Sequence, residues 1–171
     1  MADIWKPSVT VAAIVEHDGK FLMVEEHTTD GVKLNQPAGH LDPGETPAHG
    51  AAREALEESA WEVQPVGLLG IYLSRYTSSR TGEDVTYLRF AFAASVIKHH
   101  TDRALDDGII RTLWMTPDEL RASQSEHRSP LVMRCVEEFL DWKAGKRPIM
   151  PLEHVYTHES VLKGPMPPGL S

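Results

Sequence analysis

The hydrophobic pattern opens with strands. Val9 to Val15 is a run of β-branched and small residues, and Lys20 to Val24 follows across His17-Asp18-Gly19. An Asp-Gly pair between two apolar runs predicts an antiparallel hairpin. Thr28 to Asn35 reads as a loop with a short strand at its end. Pro37 to Gly44 carries two prolines and two glycines and reads as a constrained turn. A helix is then expected, with Thr46 as its cap and Pro47 at its first position. Ala48, Ala51, Ala52, Ala55 and Leu56 form a small-residue face that would approach a sheet closely, with Arg53, Glu54, Glu57 and Glu58 on the opposite side. Gly50 interrupts this helix at about 1 kcal/mol in propensity.

Val66 to Tyr76 predicts a strand with a break at Gly70. Asp84 to Lys98 is the longest strand candidate. Its even positions, Leu88, Phe90, Phe92 and Val96, suit a core, and Tyr87, Arg89, Ala91 and Ala93 line its other face. Ile109 to Met115 is a short strand, and Thr116-Pro117 opens a short helix. Leu131 to Lys143 is amphipathic, with Val132, Val136, Phe139 and Leu140 on one stripe. The hairpin at the front and the irregular alternation of strands and helices predict an α/β chain with a mixed sheet. Residues 1–171 are read as one domain, with a core from about 8 to 150 and a mobile tail from Gly164.

Charge changes the picture at one place. Glu54, Glu57 and Glu58 stand at i, i+3 and i+4, so their carboxylates share a helix face and repel one another. Two of them lie near the C-terminal end, where the helix dipole disfavours acids by roughly 0.3–1 kcal/mol each. A hard divalent cation would offset this, because Mg²⁺ takes a few carboxylates together with phosphate oxygens. The plainer reading is a solvated acidic face laced by pairs such as Arg53 with Glu57. Gly39 and Glu45 upstream argue for the metal.

The whole chain bounds the partners. Its 171 residues are 41% hydrophobic with a net charge of −8, and its pI is near 5.5. That balance argues against binding a nucleic-acid polymer, which needs a basic patch, but allows a small phosphorylated substrate carried on a metal. No apolar run approaches the roughly 20 residues of a membrane span, and the N-terminal residues do not read as a secretory signal. Cys135 is the only cysteine. No internal disulfide is possible, which favours a cytoplasmic setting, and Cys135 itself reads as a small core residue. The nine histidines are scattered, which argues against a zinc site.

Gly39, Glu45, Arg53-Glu54 and Glu57-Glu58 also stand at the offsets of the Nudix box, and the chain resembles the Nudix hydrolase family there. Ala60 stands where the box has glycine, which puts the turn ending the helix in question, and Ala55 is small for its apolar position. The segments Val24-Glu25-Glu26, Asn35 to Leu41, Leu88 to Phe92 and Arg128 to Val132 resemble one bacterial phosphatase branch of that family. The resemblance implies an α/β/α sandwich with a mixed sheet and the box as loop–helix–loop. It implies Mg²⁺-dependent hydrolysis, with Mn²⁺ able to substitute. The branch implies nucleoside di- or triphosphates, or the pyrophosphate of the thiamine-precursor pyrimidine, as substrates.

The roles that follow are physically coherent. Glu57 and Glu58 are the main metal ligands; Glu54 completes the cluster and orients or deprotonates water; the Gly39 carbonyl joins the metal shell. Arg53 cannot lose its charge and is expected to tether a loop carboxylate, Glu45 first. Candidates for substrate contact are Arg89, Gln36, Lys33 and Arg128, and the plainer reading of Arg89 is a strand-face ion pair. Tyr72, Tyr76 and Tyr87 could stack on a ring or simply pack. Asp107, with Asp106 beside it, is a possible extra acid or an ordinary turn acid. Two alternatives stay open: a Nudix enzyme for ADP-ribose or dinucleoside polyphosphates, and a non-catalytic nucleotide sensor. A sensor would be expected to have lost box carboxylates, and all of them are present. The oligomeric state is not legible.

Overall fold

The computed structural model describes residues 4–163; the tail expected to be mobile lies outside the described residues. The chain begins with β1 (Ser8–His17) and β2 (Lys20–Thr28). Their turn places Asp18 at φ 49° and Gly19 at φ 75°, the left-handed pair that a two-residue hairpin demands. β3 (Gly31–Asn35) returns along β2. The segment expected as a plain turn contains a short strand, β4 (Ala38–His40), because Thr10 to Ala12 of β1 offers it a free edge.

The helix α1 (Pro47–Ser59) starts as the sequence predicts, with Thr46 Oγ1 accepting from the His49 N–H at 3.1 Å. β5 (Trp61–Thr77) follows at once. It starts five residues before the expected Val66, since Trp61 to Pro65 pair with the far end of β6 (Asp84–His99). The β5–β6 register shifts between Leu68 and Gly70, so the expected break is a bulge within a continuous strand. β7 (Ile109–Met115), α2 (Pro117–Ala122) and α3 (Leu131–Lys143) follow, and α4 (Glu159–Lys163) closes the described residues.

The strands form a seven-stranded mixed sheet. β4-β1-β6-β5 makes one half, with β1 and β6 parallel, Val11 opposite Phe90. β3-β2-β7 makes the other, entirely antiparallel. The halves meet at the β1–β2 hairpin. β1 is apolar along nearly its whole length because both its faces are covered. Val11, Ala13, Val15 and Phe92 pack with Ala51 and Ala55 of α1. Ala12, Ile14, Ala91 and Ala93 pack with Val132, Cys135, Val136 and Phe139 of α3. This is the expected layering of helix, sheet and helix. No helix among the described residues is long and apolar enough to cross a membrane.

Candidate active site

The acidic residues of α1 do not all face outward. Glu54 and Glu58, 7% and 9% exposed, lie on the buried side of the helix with Ala51 and Ala55, which corrects the expectation of an acidic face opposite a small one. The reason is the neighbour: α1 lies against β4, whose backbone polar groups receive them. The Ala38 N–H donates to Glu58 Oε2 at 2.8 Å. A side chain on Gly39 would put its Cβ 2.2 Å from Glu54 Oε1, so only glycine admits that carboxylate. Gly50 does similar work: a Cβ there would sit 2.5 Å from Glu45 Oε1 and 3.1 Å from Val11.

Arg53 organises the box. Its Nε and Nη2 donate to Glu45 Oε2 and Oε1 at 3.0 and 2.8 Å, the bidentate pairing expected from the sequence. Nη1 donates to Glu54 Oε1 at 2.8 Å and Glu57 Oε2 at 2.9 Å, and Nη2 also reaches the His40 carbonyl at 3.0 Å. Glu45 in turn accepts from the Asp42 N–H at 2.8 Å. Burial works against the Glu45 carboxylate, but the bonds from Arg53 and Asp42 outweigh it and hold its pKa down.

Glu54 and Glu58 go the other way. Burial pushes Glu58 up to about 8, against the pull of the Ala38 N–H, and the charges of Glu54, Glu26 and Asp106 add to it. Burial also raises Glu54; the Arg53 guanidinium opposes it, and Glu57 and Asp106 reinforce it. Among the described residues, no three acidic or histidine side chains converge as a preformed metal cage. Arg53 draws Glu54 and Glu57 toward itself, while Glu58 turns to Ala38. The donor set nonetheless fits a hard cation in its chemistry, because Glu54, Glu57 and Glu58 are oxygen donors within about one turn of α1 and Glu54 lies against the bare Cα of Gly39.

The box borders a cavity of about 230 Å³, whose wall includes Gly39, Glu26, Tyr76, Tyr87, Arg89 and Arg128. Arg89 is 7% exposed. Its guanidinium donates to Asn35 Oδ1 at 3.3 Å and Gln36 Oε1 at 3.5 Å and lies beside the Cys135 thiol, and no carboxylate stands within ion-pair reach among the described residues. Gln36 is fully buried and donates to the Val132 carbonyl at 2.8 Å, so it stands behind Arg89 rather than in the cavity wall. Lys33 lies beyond this cavity, in a neighbouring polar one. Tyr72 is absent from the wall; its hydroxyl donates to Glu138 at 2.5 Å on the α3 side. The Asp106 N–H donates to the Glu57 carbonyl at 3.1 Å, so Asp106 rather than Asp107 abuts the box.

Sequence reasoning missed Glu26. It reaches the cavity from β2, pairs with Arg128 at 2.9 Å, and accepts from Asn35 Nδ2 at 3.2 Å. Alternation puts it on the strand face of Leu22, which packs on the α1 side, but nothing in the local pattern marks that face as the side of the box.

A loop–helix–loop of this geometry, set on a mixed sheet between helices, is that of a Nudix hydrolase, and the chain belongs to the Nudix family: residues 5–135 match the NUDIX domain. It is accordingly a hydrolase acting on phosphorus-containing anhydrides. Among individual proteins, it is similar to Phosphatase NudJ of Escherichia coli, 35% identical over 152 residues that cover 89% of this chain and 92% of that one. The same figures hold for Phosphatase NudJ of Shigella flexneri. Among solved structures, a NUDIX hydrolase from Nitrosomonas europaea is 46% identical with a TM-score of 0.78, covering 90% of this chain and 99% of that one. A UDP-X diphosphatase, 18% identical with a TM-score of 0.65 over 87% of this chain and 68% of that one, shares the fold.

Proposed function

We propose that this chain is a Mg²⁺-dependent enzyme that cleaves nucleoside di- or triphosphates, or the pyrophosphate of a small pyrimidine, by attack of water at phosphorus. The observation that carries the reading is Gly39. Its bare Cα admits the Glu54 carboxylate, and the same residue lines the cavity into which the buried Arg89 points its unpaired charge. The acids of the box and a seat for an anion are thus neighbours. The relatives named as phosphatases support hydrolysis of this kind.

The carboxylates of Glu54, Glu57 and Glu58 and the carbonyl of Gly39 would hold the ion, with Mn²⁺ able to replace Mg²⁺. Bound there, it supplies neutralisation of phosphate oxygens and a lowered pKa for water. The protein's own groups do the rest. Arg53 fixes Glu45 and thereby the loop before α1, and its Nη1 holds the Glu54 and Glu57 carboxylates side by side. Glu54 orients the attacking water and takes its proton at the carboxylate. Arg89 and Arg128 grip phosphate oxygens, and Tyr76 and Tyr87 flank the ring of the base.

At about 230 Å³ the cavity is smaller than the ~300–1,000 Å³ common for ligand sites. It takes one ring and its sugar, which favours a single nucleoside or pyrimidine over ADP-ribose or a dinucleoside polyphosphate. We read residues 1–171 as one catalytic domain and, from its lone buried Cys135, place it in a reducing cytoplasm. The deciding experiment is a panel of nucleotides, pyrimidine pyrophosphates, ADP-ribose and dinucleoside polyphosphates, each followed for phosphate, pyrophosphate and monophosphate. Mg²⁺-stimulated turnover of the first two classes is expected; turnover that survives a chelator overturns the reading.

A further inference from the structure

Beside the active-site cavity lies a second one, of about 360 Å³, lined by Thr28, Asp30, Lys33, Tyr76, His127 and Arg128, with Ser79. Tyr76 and Arg128 belong to both walls, so these two side chains stand between the two spaces. Of this wall the proposed reaction uses only the two shared side chains, Tyr76 and Arg128.

Its charge is lopsided. Lys33 Nζ reaches only the Ser125 carbonyl, at 3.4 Å, and no carboxylate lies within ion-pair reach of it among the described residues. Arg128 gives one nitrogen, Nη1, to Glu26 and keeps the rest of its fork. Asp30 is the one acid in this wall, and it is already engaged: it accepts from the Tyr76 hydroxyl and from Ser78 Oγ at 3.2 Å. Arg80 adds a further cation nearby, donating to the Thr29 carbonyl at 2.7 Å. His127 is 8% exposed, burial lowers its pKa, and its ring already meets Ser123 Oγ and the Leu120 backbone. A concave, polar space with an unmatched ammonium and a half-used guanidinium is complementary to a phosphate-like anion.

We propose that this cavity is a second anion subsite, anchored by Lys33 and Arg128, which seats a phosphate group lying beyond the Tyr76–Arg128 partition from the scissile anhydride. The identification of that group as part of the substrate rests on the proposed nucleotide hydrolysis; the anion seat itself does not. Arg128 is the shared element. It leaves Glu26 for the phosphate, and Glu26 keeps its bond to Asn35. The substrate class that gains is a nucleoside 5′-diphosphate carrying another phosphate on its sugar. Free inorganic phosphate has the same chemistry and could occupy the seat instead.

The test separates these sources. Inorganic phosphate is titrated calorimetrically into the full chain without divalent metal, using the wild type, Lys33→Met and Arg89→Met. The expected result is a phosphate site that weakens about tenfold or more in Lys33→Met and persists in Arg89→Met. KM is then compared for adenosine 5′-diphosphate and adenosine 3′-phosphate 5′-diphosphate in Mg²⁺. A lower KM for the doubly phosphorylated compound, erased by Lys33→Met with kcat and the diphosphate KM unchanged, assigns the seat to substrate. A Lys33-dependent phosphate site with equal KM values assigns it to free phosphate. Phosphate affinity that Lys33→Met leaves unchanged overturns the subsite. Failure of the wild type to hydrolyse any nucleotide, with the Lys33-dependent site intact, overturns the proposed activity alone.

Discussion

Gly39 and Glu54 are matched through a side chain that is not there. Placing a methyl at position 39 forces the Glu54 carboxylate away, since the added Cβ would stand 2.2 Å from Oε1. Gly39→Ala is therefore expected to lower kcat about 10²-fold, the loss typical of a group displaced by an ångström, while circular dichroism stays native. Glu57→Gln keeps the shape and removes the charge; turnover should fall by orders of magnitude with thermal stability little changed, and near-normal turnover would refute its role. The contact of Arg53 with Glu57 was legible because helix geometry brings i and i+4 together; its bonds to Glu45, in the loop before α1, and to the adjacent Glu54 are not dictated by helical spacing. Burial was misread: Ala51, Glu54, Ala55 and Glu58 stand at i, i+3, i+4 and i+7 and share one helix face, while the strand edge that receives that face, contributed by Thr10 to Ala12, has no mark in the spacing. Glu26 escaped because alternation places it on the face of Leu22 without marking that face as the side of the box.

The end of α1 shows how an element tolerates a substitution against its own preference. Ala60 occupies the left-handed conformation, φ 59° and ψ 13°, and its N–H still closes the helix onto the Leu56 carbonyl at 3.0 Å. The turn survives without the glycine of the box, and its carbonyl accepts from His100 at 2.9 Å. Relief of the strained φ makes Ala60→Gly stabilising by about 0.5–1 kcal/mol, partly offset by added freedom in the unfolded chain. A urea midpoint that falls instead would show that the buried methyl matters more than the backbone. At this scale most elements were readable. α3 matches its expected bounds because its apolar stripe and flanking Ser129-Pro130 and Gly145 leave little choice. β5 was misread at its start because Trp61 to Pro65 alternate poorly and contain a proline; only pairing with β6 declares them a strand.

For the molecule as a whole, the raised carboxylates bind stability to metal. Glu58 is ordinarily near 4.5 and stands at about 8 in the folded protein. Between those values the folded state holds a proton that the unfolded chain has released, so stability present at low pH is lost as pH rises through this window. Burial of Glu54 acts in the same direction. Metal-free protein is thus expected to melt at a lower temperature at pH 8 than at pH 5.5, and millimolar Mg²⁺ to restore most of the loss at pH 8 and little at pH 5.5. Calorimetric scans at both pH values, with and without the ion, check this; a metal-free melting temperature that climbs with pH contradicts it.

The parallel pairing of β1 with β6 has a consequence for how the protein is made. Val11 waits for Phe90, and Arg89 arrives on that same late strand. A ribosome will have released the whole of α1 well before β6, the parallel neighbour of β1, emerges, and the closure of so long a loop is slow. Until then α1 rests only on β1, β2 and β4, without the β5–β6 half of the sheet. The nascent chain should therefore acquire its affinity for divalent ions in a single late event, when synthesis has passed β6.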